Sequence, residues 1–316
     1  MHHFMKYIHI IIFVFLVITT WNNSYNPFLD DSSKQQEWME TIKQEDPLYQ
    51  EIKSRSEQYN KPPQDAYIDR VWKKTPGRNG LKVNIGKSYE EMKENQEFDE
   101  NKLVFDQVKP KVSLESLPAS PIYRGHPEKN MVALMINVSW GTEYIPDILK
   151  ILKKNNVRAT FFLEGKWAKE HAEYTKMIAK EGHLIGNHAY NHPNMARMTN
   201  QQITDQIAKT NEIIEAITEQ KPAYFAPPSG SFSDQVVDIA DHLQMETILW
   251  TVDTIDWKKP SVSVMMNRVM TNIHPGATIL MHPTPSVARG LDSLIKSIKS
   301  KDYKLGTLDK LLSTER

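Results

Sequence analysis

MVALMINVSWGTEYIPDILKILKKNNVRATFFLEGKWAKEHAEYTKMIAKEGHLIGNH, residues 131–188, decides how this chain folds. MVALMINV is an unbroken apolar run, the pattern of a strand covered on both faces. IPDILKILKKNN follows with apolar residues at helical spacing. VRATFFLEG reads as a second strand, HAEYTKMIAKEG as a helix ending at Gly182, and HLIGNH as a third strand. The alternation continues downstream through QQITDQIAKTNEIIEAI, PAYFAPP, SDQVVDIADHLQ, METILWTVD, SVSVMMNRVMTNI and ATILMH. Strand–helix repetition of this length predicts an α/β fold, its parallel strands joined by crossover helices into a barrel or a doubly wound sheet. Sites in such folds lie at the carboxyl ends of the strands.

Around this core the chain has 316 residues, 40% of them hydrophobic and 25% charged, a globular composition with room for two domains. Thirty-nine basic residues balance 39 acidic ones, so nucleic acid is not an expected partner. With no cysteine, the chain has no disulfide framework, thiolate zinc site or cysteine nucleophile, and any metal falls to His, Asp or Glu. Tyr7–Trp21 is mostly apolar and follows Lys6, which predicts a signal peptide or an uncleaved membrane anchor over residues 1–22 and an extracytoplasmic location. A buried core helix is the alternative. Residues 23–64 are polar and read as a linker or loose helix. Residues 65–112 read as a small α+β domain: a helix in DAYIDRVW, a turn in TPGRNG, a strand in LKVNI, a helix in SYEEMKEN and a strand in KLVFDQV. Four prolines over 110–130 mark an interdomain connection, placed at 113–130, and residues 131–312 form the large domain.

The predicted strand ends concentrate chemistry. His188 and His192 follow the third strand and suit zinc, cobalt or nickel if the chain turns helically there; alone they could equally be surface-turn histidines. Asp253, Asp256 and Trp257 follow a later strand, and His282 the last. Three histidines, two aspartates and a tryptophan at successive strand ends point to a metal or catalytic site.

Residues 131–310 resemble the NodB-like polysaccharide deacetylases, a carbohydrate esterase family that removes N-acetyl groups from chitin and peptidoglycan glycans. GHLIGNHAYNHPN follows the family's His-x-x-x-His metal motif, FAPPSGS its proline–glycine turn, VDTIDW its aspartate–tryptophan segment and ILMH its Leu-x-His. From Asp65 onward the chain most resembles the sporulation-associated branch. The resemblance implies an irregular (β/α) barrel. It also implies a zinc or other divalent metal at His188 and His192, His282 as the acid that protonates the leaving amine, and Asp253 orienting it. Trp257, Pro227 and Leu280 would contact the glycan polymer, with core packing the alternative for Trp257.

The departures matter as much. The family's Thr-Phe-Asp-Asp-Gly falls on Met135-Ile136-Asn137-Val138-Ser139. Asn137 thus stands at the base position, Val138 at the third metal-ligand position, and Ala226 where an Arg pairs with the base. An amide cannot take a proton from water, and Val138 removes a ligand and its charge. The expectation is a cell-envelope protein acting on or binding peptidoglycan-type glycan with weak or no deacetylase activity, its metal weak or absent. An active deacetylase with substituted ligands, Glu143 among the candidates, and a non-enzymatic glycan- or protein-binding module are the alternatives.

Overall fold

The computed structural model describes residues 46–316 together with Val14, so the segment expected to be a signal or anchor lies outside the described residues. Among the described residues no helix is long and apolar enough to cross a membrane. The chain divides into two units, one made of residues up to Lys61 plus Leu81–Asp106, the other of Pro62–Gly80 plus Gln107–Arg316.

The smaller unit has a helix over Pro47–Tyr59, within the segment read as a linker or loose helix. Asp46 caps it by accepting from the Leu48 amide at 2.8 Å, and Leu48 and Ile52 bury against Val83 and Met92. Met92 ends a second helix, Ile85–Met92, capped by Asn84. Two buried positions one turn apart turn a polar-looking segment into a packed element.

The expected domain over 65–112 is therefore divided, because Pro62–Gly80 belongs to the larger unit. DAYIDRVW is not a helix. Tyr67–Asp69 (β1) pairs antiparallel with Lys73–Thr75 (β2), and Asp69 Oδ1 accepts from the Val71 and Trp72 amides, both at 2.7 Å. That aspartate closes the turn and stops a helix from propagating. Gly80–Val83 (β3) and Phe105–Val108 (β4) form a further two-stranded sheet.

The larger unit is built on parallel strands: Met131–Val138 (β5), Thr160–Leu163 (β6), Leu184–Asn187 (β7), Tyr224–Phe225 (β8), Glu246–Thr247 (β9), Val252–Asp253 (β10), Thr278–Met281 (β11) and Lys304–Gly306 (β12). Their order is β10-β11-β5-β6-β7-β8-β9, with β12 beside the first half of β5. The result is a curled, irregular half-barrel with its helices outside. Strand β5 explains the layering. Val132, Leu134, Ile136 and Val138 pack with Ile148 and Leu152 of the helix Ile145–Lys154 and with Leu291 and Leu294 of Pro285–Lys299. Ala133 and Met135, one step out of phase, pack instead with Phe162, Ala226 and Ile248.

Residues 113–130, expected to be a connection, are part of this barrel. The Ile122 amide donates to Thr247 O and its carbonyl accepts from the Leu249 amide, both at 2.8 Å. Three residues on, the Gly125 amide donates to Gly276 O at 2.8 Å, and Thr278 Oγ1 donates to Tyr123 O. The segment thus fills the gap between β9 and β11, and Ile122 is completely buried. Engagement of Ile248 and Leu249 with it is also why METILWTVD is split into two short strands.

Two buried imidazoles away from the carboxyl ends of the strands contribute to how the larger unit responds to acid. His183 Nδ1 accepts from the Ala159 amide and His126 Nδ1 from the Glu128 amide, both at 3.1 Å. Burial pushes each pKa down to about 4, because protonation would charge a buried ring and abolish its acceptor. In the unfolded chain both titrate near the ordinary value of about 6.5. Between these values the unfolded state binds more protons, so stability rises with pH there, is complete above about pH 6.5, and is lost as pH falls toward 4. The thermal midpoint should therefore drop between pH 7 and pH 4.5, with each group contributing on the order of 1–3 kcal/mol. His183→Gln should flatten that slope in a calorimetric pH series, and an unchanged slope would refute the assignment.

Candidate functional site

The carboxyl ends of β5, β7, β10 and β11 converge on a cavity of about 410 Å³ lined by Asn137, Trp140, His188, His192, Trp257 and His282, with Ser139, Ser229, Trp250, Asp253 and Leu280 completing the wall. A wider recess of about 490 Å³, lined by Arg158, His183 and Asp309, lies at the segments leading into β6 and β7. In an α/β barrel that end carries stability, and chemistry belongs to the carboxyl end.

His188 and His192 meet, their ring centroids 5.2 Å apart, but through a loop and not the helical turn expected. Ala189 and His192 both have left-handed backbones (φ 59° and 56°), and Asn187 Oδ1 and Gln206 Oε1 tie down the intervening amides of Ala189 and Tyr190. His188 Nδ1 donates to Ala226 O at 2.7 Å, which leaves Nε2 as the free nitrogen. That arrangement is the one a metal ligand needs. Burial holds its pKa down to about 3, and burial lowers that of His192 as well.

The third donor is missing. Val138 is fully buried in the apolar cluster between β5 and its helices and does not line the cavity. Glu143 is exposed in the turn Thr142–Tyr144 and does not line it either. Among the described residues no three His, Cys, Asp or Glu side chains come together as a metal site. Two imidazoles fall short of the three or four protein ligands that zinc sites use, so the described residues do not fit the metal.

The partner of His282 differs from the one expected. Asp256, not Asp253, holds His282: Asp256 Oδ1 accepts from His282 Nδ1 at 2.9 Å and Oδ2 from the His282 amide at 2.8 Å. Thr254 Oγ1 and Thr284 Oγ1 each add a bond at 3.0 Å, so this completely buried carboxylate is saturated. Its acceptor role fixes the proton on Nδ1 and leaves His282 Nε2 for the cavity. Asp253 has a different task. Its Oδ1 accepts from the Ile255 amide at 2.8 Å, across a turn in which Ile255 adopts φ 51°. A β-branched residue in the left-handed region is strained by about 1–3 kcal/mol. The Asp253 bond helps hold the turn that swings Asp256 inward and Trp257 outward.

Trp257 lines the cavity and is 49% exposed, which disposes of core packing. Lys258 Nζ sits 4.9 Å from its ring centroid. Leu280 lines the cavity as expected. Pro227 does not: it is buried and sets the turn leading to Ser229. Asp256, Trp140 and Trp250 were not assigned roles from the sequence. The carboxylate spacing in VDTIDW could not distinguish Asp253 from Asp256, because the strained turn between them decides which points inward.

The polysaccharide deacetylase family profile matches residues 124–248. The chain is 49% identical to YlxY of Bacillus subtilis across 99% of both proteins. It is also 36% identical over 199 residues to a peptidoglycan-N-acetylglucosamine deacetylase of Bacillus cereus, covering 61% of this chain and 72% of that one. It belongs to the polysaccharide deacetylase family. Among solved structures it is similar to BA3943 of Bacillus anthracis, described as a pseudoenzyme of carbohydrate esterase family 4. That match has 54% identity and a TM-score of 0.82, and covers 86% of this chain and 97% of that one. A BA3943 mutant described as having restored enzymatic activity matches at 53% identity and TM-score 0.82, covering 85% and 99%. This polysaccharide deacetylase-family chain therefore has the family's fold, with Asp256 holding His282 and with Asn137 and Val138 at the end of β5.

The two aspartates should separate in mutagenesis. Asp256→Asn leaves at least one of four donors facing an amide NH2 and should destabilise the fold by about 1–3 kcal/mol. It should also release the His282 Nδ1–H tautomer in nitrogen-detected NMR. Asp253→Asn should keep that tautomer, since its partner is only the Ile255 amide.

Proposed function

We propose that this chain is a glycan-binding pseudoenzyme: it holds N-acetylated, peptidoglycan-type glycan in the cavity at the strand ends with little or no hydrolysis. The observation that carries this reading is the coordinated loss at one end of the barrel. Asn137 cannot act as a base, Val138 offers no ligand, and Ala226 stands where the family's Arg would pair with the base. An arginine left beside a neutral amide in this buried place would be a costly unpaired charge. Both partners are absent together, which fits a site retired as a unit. The likeness to a pseudoenzyme over most of both chains supports the same reading.

In this reading zinc binds far more weakly than in relatives with a complete ligand set. Trp257 offers an indole face to a pyranose ring, and His282 Nε2 accepts a hydrogen bond at the sugar without completing a proton relay, because its opposite number is an amide. The apolar segment Tyr7–Trp21 tethers or exports the protein, so that it meets the wall outside the membrane, and its setting is sporulation.

The Asn137→Asp/Val138→Asp variant tests this. It should bind zinc after dialysis and deacetylate an N-acetylglucosamine oligomer faster than the parent, with the base alone supplying about 10²–10⁴-fold. Because the Val138 side chain lies in the apolar cluster and not in the cavity, the new carboxylate has to turn out of that cluster to reach the metal, and the apo form should be less stable. Ala226→Arg should raise the rate in that variant and do nothing in the parent. Stoichiometric zinc and family-like turnover by the unmodified chain would overturn the proposal.

A further inference from the structure

Trp140 follows β5, where the carboxylates of active relatives would stand by resemblance, yet it belongs to none of the family motifs recognised in the sequence. Its indole is 45% exposed, lines the cavity, and lies parallel to the His282 imidazole, with centroids 5.9 Å apart and an 8° angle between the planes. The backbone holds it there. Gly141 has φ 77°, and a Cβ on it would lie 2.0 Å from Pro283 O, so this loop is pressed against the residue that follows His282. Thr142 Oγ1 accepts from Trp167 Nε1 at 2.9 Å and anchors the other side of the turn. A half-exposed indole on so constrained a backbone is a preorganised surface.

Asn137 supplies a second, independent observation. It is 3% exposed, lines the same cavity, and its Oδ1 has no hydrogen-bond partner. A buried, unpaired acceptor destabilises a fold, and such groups are rare. A ligand that brings a donor to that atom removes the penalty.

We propose that Trp140 and Asn137 have become ligand-binding residues for an N-acetylhexosamine: Trp140 stacks on the pyranose opposite or beside Trp257, and Asn137 Oδ1 accepts from the acetamido N–H. This rests on the glycan-binding reading above and adds that the altered strand end is itself the recognition edge. A neutral amide suits the role better than a carboxylate, because it accepts a hydrogen bond without bringing a charge that must be desolvated on binding.

The test is calorimetric titration of the full chain in detergent micelles with a β-1,4-linked N-acetylglucosamine tetramer. Trp140→Ala should weaken binding about 3- to 10-fold, the range that one aromatic contact supplies, and Trp140→Phe should restore most of it. Asn137→Leu should weaken binding several-fold while raising the thermal midpoint, since it removes the orphan acceptor. Affinity and stability moving in opposite directions is an outcome a purely structural Asn137 would not give. If Trp257→Ala weakens binding but Trp140→Ala and Asn137→Leu do not, this inference falls and the glycan-binding reading stands. If the folded parent does not bind the tetramer at all, both fall.

Discussion

A single buried carboxylate organises the active end of this barrel. Asp256 accepts four hydrogen bonds, from two threonine hydroxyls and from the backbone and ring of His282, and so ties the end of β10 to the end of β11. A carboxyl group in so enclosed a place is stable only when its acceptor capacity is filled, and here it is. The strained turn at Ile255, the outward Trp257 and the fixed orientation of His282 all follow from keeping that carboxylate satisfied.

The two halves of the site differ in what holds them. Asp256 and His282 are bound into the architecture, and removing either leaves buried polar groups exposed to an apolar surrounding. Positions 137, 138 and 226 are held by different forces. Val138 and Ala226 sit in apolar clusters on the two faces of the sheet, where small hydrophobic residues are at home. A carboxylate or a guanidinium enclosed by these apolar side chains would destabilise the fold unless it were paired.

Much of this was legible in the sequence, and the failures share a cause. Period and composition gave the alternation from Met131 to Met281, since long apolar strands and amphipathic helices announce themselves locally. The histidines, Trp257 and Leu280 arrived at the strand ends as expected. What could not be read depended on long-range pairing or on one backbone angle. Tyr67–Asp69 is a strand because Asp69 closes a turn. The helix over residues 47–59, read as a linker or a loose helix, is packed because Leu48 and Ile52 bury against Val83 and Met92. Asp256 displaces Asp253 as the partner of His282 because Ile255 turns left-handed. None of these has a signature within its own few residues.

The segment at Ile122–Gly125 carries a consequence for the order of events during synthesis. It is made before every strand of the barrel, yet its partners at Thr247, Leu249 and Gly276 come off the ribosome far later, and Tyr123 O waits 155 residues for Thr278. Until then the sheet has an open side whose backbone groups are unpaired, a template for association between nascent chains. Closure by an early segment on late strands is a high-contact-order event, and such events are slow. Closure of the sheet at this place therefore depends on a bond between residues 155 positions apart in the sequence.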